Sequence, residues 1–237
     1  MKSDLKEKNY QNSTFLETTK YQGIYLLNIR NRKKIVTKNL THGKIFFNEN
    51  KYLVDNIEYR EFNPGHSKLA AAIAKRISLI PIKEKDKILY LGASHGYTPS
   101  FISDMIGENG MIFCLDFAPR VVRDLLFVCE ERINMSPILA NAKKPDTYKN
   151  RISKVDVIYQ DVAQKDQVEI LLKNLDLLNP KGYVLIAIKS RSIDVTKNPR
   201  IIYKEVEEKL KTKLRIMDKK ELDPYQKDHI FFVCQKK

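Results

Sequence analysis

Short apolar runs alternate with amphipathic stretches over most of the chain from Lys68 onward. Lys87 to Leu91, Met111 to Leu115, Ser136 to Leu139, Val155 to Tyr159 and Tyr183 to Ile188 read as buried strands. Between them, Pro99 to Ile106, Pro119 to Ile133, Gln164 to Leu178 and Pro199 to Leu210 read as helices. The Pro119 helix places Val122, Leu125, Leu126, Cys129 and Ile133 at spacings of three and four, which predicts one buried face. An Ala-rich helix from Lys68 to Ser78 precedes this series, and strands at Leu214 to Met217 and Ile230 to Cys234 end it. Strands alternating with helices of this length predict an α/β fold with a mainly parallel sheet covered on both faces.

The first 60 residues have another texture. Residues 1 to 19 are polar and aperiodic and read as a flexible, basic tail. Between residues 20 and 60 the runs are short: Gly23 to Leu27, Lys34 to Thr37, Lys44 to Phe47 and Tyr52 to Val54, separated by His42-Gly43 and Asn48-Glu49-Asn50. They predict a small antiparallel β domain, with Arg30, Arg32, Lys33 and Lys34 at a hairpin tip. Residues 61–237 then form the second, larger domain.

Charge narrows the function. Across 237 residues, 43 Lys and Arg stand against 29 Asp and Glu, a formal charge of +14, which favours a polyanionic partner such as nucleic acid. Cys114, Cys129 and Cys234 are scattered in apolar runs, so they read as buried thiols with neither a disulfide framework nor a zinc site, and no metal is expected. No apolar run is long enough to span a bilayer and no signal-like segment opens the chain, so a soluble, cytoplasmic protein is expected, with no membrane partner.

Ligands of open α/β sheets gather at the carboxyl ends of the strands. The first such end reads LYLGASHGYTPS, where Gly92 and Gly96 allow close backbone approach and Thr98-Pro99 suits a helix start. The second ends in Asp116, 24 residues after Gly92, where a carboxylate suits a ribose diol. The loop is neither the dinucleotide GxGxxG nor a Walker loop. Asn141-Ala142 and Asp161-Val162-Ala163-Gln164 lie at the next two strand ends, so four polar ends converge on one crevice and favour a nucleoside-containing cofactor.

Six stretches in order, EYREFNPGHSKLAAAI, KILYLGASHGYTPS, FAPRVVRDLL, VDVIYQDVAQ, IAIKSRSIDVTKNP and LDPYQKDHIFFV, make residues 20 to 237 resemble fibrillarin, in its archaeal form without a Gly/Arg-rich extension. The resemblance implies a Rossmann-like class I methyltransferase fold and S-adenosylmethionine-dependent methylation of RNA 2′-hydroxyls, on rRNA and possibly tRNA, at sites chosen by a box C/D guide RNA. The implied partners are that guide RNA, its target RNA, a Nop-domain scaffold protein and a kink-turn-binding protein. Carried over by motif position, the cofactor contacts are Gly92, Ala93, Tyr97, Thr98, Asp116, Phe117, Asn141, Ala142, Asp161, Val162, Ala163 and Gln164, and the catalytic group is Lys68, Asp161, Lys189 and His229. Tyr97 and His95 depart from the family's glycine loop, Asn141 replaces a common Asp, His66 replaces an Arg and Phe62 a Trp.

A 2′-hydroxyl is too weak an acid to ionise at neutral pH, so a positioned base or cations that stabilise the alkoxide should help. Lys189, ending a buried strand, is one candidate for that group. A base role needs a lowered pKa, which burial and Lys68 would supply, whereas Asp161 would oppose the shift but fix its orientation; the sequence leaves the proton acceptor open. Two rivals remain at this level: an enzyme of the same fold acting on a protein or small molecule, and a catalytically weakened RNA-binding or scaffold member of the same particle.

Overall fold

The computed structural model describes residues 14–237. The first sheet is antiparallel, in the order β1-β2-β3-β5-β4, from Thr14–Thr18 (β1), Tyr25–Ile29 (β2), Arg32–Lys38 (β3), Lys51–Val54 (β4) and Ile57–Glu61 (β5). Three readings change here. Thr14–Thr18 is a strand paired along its length with β2, although it falls in the stretch read as a tail; residues 1–13 of that stretch lie outside the described residues. Lys44 to Phe47 is not a strand, because Phe46 and Phe47 leave the sheet and pack against the apolar cluster that contains Phe62 and Phe101. The missing strand is β5, whose charged residues hide it: Glu58, Arg60 and Glu61 are paired rather than solvated. Arg30 and Asn31, both with positive φ, make the β2–β3 hairpin turn at the expected basic tip.

The second sheet runs β11-β12-β10-β9-β6-β7-β8 and is the Rossmann-like architecture expected. Its parallel strands are Lys87–Leu91 (β6), Met111–Asp116 (β7), Met135–Leu139 (β8), Val155–Gln160 (β9) and Leu178–Lys189 (β10), with Leu214–Glu221 (β11) and His229–Lys236 (β12) added antiparallel. Alternation puts Ile88, Tyr90, Val157, Tyr159, Leu185 and Ala187 on one face and Leu89, Leu91, Ile158, Val184 and Ile186 on the other. Helices Lys68–Ala74 (α1), Tyr97–Ile106 (α2) and Pro119–Glu130 (α3) cover the first face; Gln167–Asn174 (α4) and Pro199–Lys211 (α6) cover the second. A short helix, Ser190–Ile193 (α5), follows β10. Ala70, Ala71 and Ala72 are fully buried, so α1 lies close against its neighbours. The predicted apolar face of α3 is narrower than expected: Val122, Leu125 and Cys129 are buried, whereas Leu126 is exposed and Ile133 lies past the helix end in solvent. The helix read as reaching Leu178 stops at Asn174, and β10 begins at Leu178 with an irregularity before Tyr183.

The two sheets share a core and a buried polar network. Tyr21, Ile24, Ile35 and Phe62 belong to the same apolar cluster as α1 and α2. Asp104 on α2 accepts from Arg60 Nη1 at 3.0 Å and Arg132 Nη1 at 2.7 Å, all three side chains being fully buried. It also accepts from the Thr37 hydroxyl at 2.7 Å and the Leu40 N–H at 3.1 Å, so one carboxylate ties the first sheet and the turn before β8 to α2. The three cysteines are buried and free, as expected. Among the described residues no helix is long and apolar enough to cross a membrane.

Candidate active site

The sheet order reverses between β6 and β9, and the crevice opens at that switch point. After β6 the chain turns at Gly92 (φ +83°), and the N–H groups of Gly92 and Ala93 both donate to the Leu115 carbonyl, at 2.9 and 3.0 Å. On the other side Asp161 N–H donates to the Leu91 carbonyl at 3.0 Å, carrying the β6–β9 ladder one step past the strands. Glycine alone allows both: a Cβ on Gly92 would stand 2.4 Å from the Asp161 carbonyl oxygen and 3.0 Å from Val162 Cγ1.

The crevice has two lobes that meet at Gly92, Ser94 and Asp161. One, of about 340 Å³, is walled by Asp116, Phe117, Asn141, Ala142, Val162, Ala163 and Gln164. The Asp116 carboxylate is held at its rim by the N–H groups of Ser94 at 3.0 Å and Ala118 at 3.1 Å. Phe117 presents an exposed ring, Asn141 Oδ1 accepts from Lys143 N–H at 2.9 Å, and the buried Gln164 Oε1 has no donor partner. A fixed carboxylate for a diol, a flat apolar face and an unsatisfied buried acceptor together fit the nucleoside of S-adenosylmethionine.

The other lobe, of about 480 Å³, is walled by Lys68, Ala93, Tyr97 and Thr98, together with Phe47, Asn48, His66, Tyr90, Ser94 and His95. Tyr97 fills the wall without blocking it: its ring packs on Phe47 at 5.3 Å and Phe101 at 5.0 Å, and its hydroxyl accepts from Asn63 N–H at 3.3 Å. Burial pushes the Tyr97 phenol up to about 12, so it stays neutral. Thr98 donates to the buried Ser67 hydroxyl at 3.0 Å, which locks the start of α2 against α1. His95 lies exposed at the edge of the lobe, its Nε2 3.6 Å from Asp124.

Lys68, Asp161, Lys189 and His229 converge beside the junction of the lobes. Lys68 Nζ lies 2.9 Å from Asp161 Oδ2, and Lys189 and His229 face each other across the β10–β12 ladder. The charges of Lys68, Asp161 and Lys189 all act on the His229 ring. Burial, with help from Lys68 and Lys189, outweighs the hydrogen bond to the Lys227 carbonyl and the charge of Asp161, and holds that imidazole below its ordinary value of 6.5 and therefore neutral at pH 7. Its Nδ1 is 2.7 Å from the Lys227 carbonyl; only a protonated Nδ1 bonds to a carbonyl, which leaves the lone pair on Nε2. Lys189 departs from expectation: it is exposed, so the burial on which a base role for its amine was to rest is missing.

Several supporting residues are not among the candidate site residues, and Phe47, Asn48 and Gln167 lie outside every stretch that carries the resemblance. Gln167 brackets the Lys189 backbone, accepting from its N–H and donating to its carbonyl, each at 3.2 Å, while Gln160 donates to the Gln167 carbonyl at 2.7 Å. The Asp228 carbonyl accepts from both the N–H and the hydroxyl of Ser190, at 3.0 and 3.1 Å. Phe47 and Asn48 reach the crevice from the first sheet, far away in sequence, and periodicity gives no sign of them.

The chain and its fold are similar to known proteins. Residues 16–237 match fibrillarin. A fibrillarin-like rRNA/tRNA 2′-O-methyltransferase of Methanocaldococcus jannaschii is 49% identical, covering 85% of this chain and 88% of its own length, and one of Thermococcus onnurineus is 44% identical, covering 92% and 97%. Among solved structures, Aeropyrum pernix fibrillarin in complex with natively bound S-adenosyl-L-methionine superposes with a TM-score of 0.87 at 41% identity, over 93% of this chain and 97% of that one. A fibrillarin/Nop5p complex superposes with a TM-score of 0.82 at 35% identity, over 93% of this chain and 100% of that one. Matched by the family over residues 16–237 and at 41–49% identity to the first three of these relatives over most of its length, the chain belongs to the fibrillarin family.

Proposed function

We propose that this protein transfers a methyl group from S-adenosylmethionine to RNA 2′-hydroxyls, in rRNA and in tRNA, at positions selected by a box C/D guide RNA. A Nop-domain scaffold would seat it on the particle, as Nop5p is joined to fibrillarin in a related complex, and a kink-turn-binding protein would hold the guide. The likeness to archaeal relatives and the lack of a membrane-crossing helix among the described residues suit work on cytoplasmic RNA. Residues 61–237 supply the chemistry and residues 20–60, extended by β1, an accessory β domain. The observation that carries the reading is the Lys68–Asp161 pair, 2.9 Å apart, set where the two lobes meet and beside the Lys189–His229 rung.

S-adenosylmethionine, once bound, supplies an electrophilic methyl on a sulfonium, so the chain must position the hydroxyl and manage its proton. Lys189 and Lys68 place positive charge where an alkoxide would develop. Neutral His229, with its Nε2 lone pair, is the group fitted to accept the proton, and Asp161, steadied by Lys68, orients the hydroxyl. Lys165, Lys189, Arg191 and Lys227 are exposed at the same end of the sheet, a basic rim suited to RNA phosphates rather than to a small neutral substrate. The departures at Tyr97 and His95 are absorbed by packing and by solvent, which argues against a weakened scaffold member.

The test is methyl transfer from radiolabelled S-adenosylmethionine in a particle reconstituted with guide RNA, scaffold and kink-turn protein. Site-specific label on the 2′-oxygen opposite the guide is expected, with little transfer by the protein alone. Without any particle, the cofactor at 100 times its dissociation constant should stabilise the fold by ~2.7 kcal/mol. No label and no stabilisation together would end this reading.

A further inference from the structure

The larger lobe extends past the second sheet to a wall made by the loop between β3 and β4. That loop is held firmly. Phe47 N–H donates to Glu49 Oε2 at 2.9 Å, and the other oxygen of this buried carboxylate lies 2.8 Å from Arg60 Nε and 2.6 Å from Nη2. The Phe47 ring is edge-on to Tyr97, and Asn48 takes the left-handed conformation that Asn tolerates, with φ +57°. The corner is thus built in place before any ligand arrives. Its Asn48 amide and the neighbouring His66 imidazole line the lobe and make no hydrogen bond to other described residues.

A molecule with its nucleoside in the Asp116 lobe, passing Gly92 and Asp161, brings its other end to this wall. In S-adenosylmethionine that end is a zwitterionic amino acid, whose carboxylate accepts readily from an amide or imidazole N–H. We infer that the Phe47–Asn48 corner of the N-terminal β domain, together with His66, receives the amino-acid end of the methyl donor, so that the small domain is part of the donor site. This rests on reading the crevice as the S-adenosylmethionine site.

Calorimetry on the full chain with three ligands separates the possibilities: S-adenosylmethionine, S-adenosylhomocysteine, and 5′-methylthioadenosine, which keeps the nucleoside but lacks the amino acid. Asn48→Ala should weaken the first two by about tenfold or more, the scale of a lost bond to a charged group, and leave the third unchanged. Asn48→Asp keeps the turn preference but opposes a carboxylate to a carboxylate, and should weaken the first two further. Asp116→Ala should weaken all three. If either Asn48 variant binds all three ligands like the wild type, or loses affinity for all three equally, the corner has no such role. If the wild type binds none of them, the reading of the crevice itself falls.

Discussion

The Asp161 carbonyl oxygen lies so close to Gly92 that a Cβ there would stand 2.4 Å away. Two adjacent parallel strands therefore end with their backbones in contact, and the side chains that follow, Asp161 on one and Ser94 on the other, border both lobes. Gly92→Ala must push Asp161 away and also hold alanine at φ +83°, where a side chain is strained. Overpacking of this kind costs about 1–3 kcal/mol in urea unfolding. Because the displaced residue is paired to Lys68, affinity for S-adenosylmethionine should fall more than stability does. Wild-type affinity in the variant would show that the contact is incidental.

A second prediction concerns the joint between the sheets. Asp104→Ala removes the carboxylate shared by Arg60 and Arg132 and leaves two buried guanidinium groups short of a partner. Breaking one buried pair costs about 3–5 kcal/mol, and here two depend on a single residue. Denaturation should show a loss at or above that range. Glu49 still neutralises Arg60 in the variant, whereas the Arg132 Nε already has no partner, so exchange protection should fail first around Arg132. A loss below about 1 kcal/mol would mean that water replaces the network without penalty.

The Arg60 network also explains what sequence could and could not reveal. The parallel sheet and its polar strand ends were legible because each strand carries its own signal, an apolar run closed by Gly92, Asp116, Asn141 or Asp161. β5 was not, since IEYRE looks solvated until Arg60 and Glu61 meet partners elsewhere in the fold. Lys44 to Phe47 failed the other way: an apolar run marks burial, and two Phe rings can be buried from a loop as well as from a strand. At the site, position along the chain placed Lys189 correctly at a strand end, but exposure depends on which elements flank that end. Phe47 and Asn48 reach the crevice through tertiary packing alone.

The pH dependence follows from His229. Its imidazole titrates below 6.5, chiefly through burial and then through Lys68 and Lys189, so the folded state binds the proton less well than the unfolded chain. The stability it contributes is complete above pH 6.5 and is lost as pH falls from there to the folded value. Proton-detected NMR of the ring should show the depressed midpoint. Lys68→Ala should raise it, since a nearby cation is removed, and Asp161→Ala should lower it. Shifts in the opposite directions would place His229 outside this cluster.

Lys189 tests the chemistry most directly. Its side chain is exposed while its backbone is clamped by Gln167, a combination that fixes a cation on the rung opposite His229 without drying it. If its task is to stabilise the developing alkoxide, Lys189→Ala should slow single-turnover methylation in the assembled particle by ~10²–10³, the range for removing one donor to a developing charge. Affinity for S-adenosylmethionine should change little, because Lys189 lines neither lobe and the lost interaction belongs to the transition state. Lys189→Arg keeps the charge and cannot serve as a base, so it separates the two roles. Substantial activity in the Arg variant would assign Lys189 the electrostatic role and leave the proton to His229, whose own replacement by Ala should then impose an equal or greater loss. An Arg variant as slow as the Ala variant would instead return the proton to the Lys189 amine, in spite of its exposure.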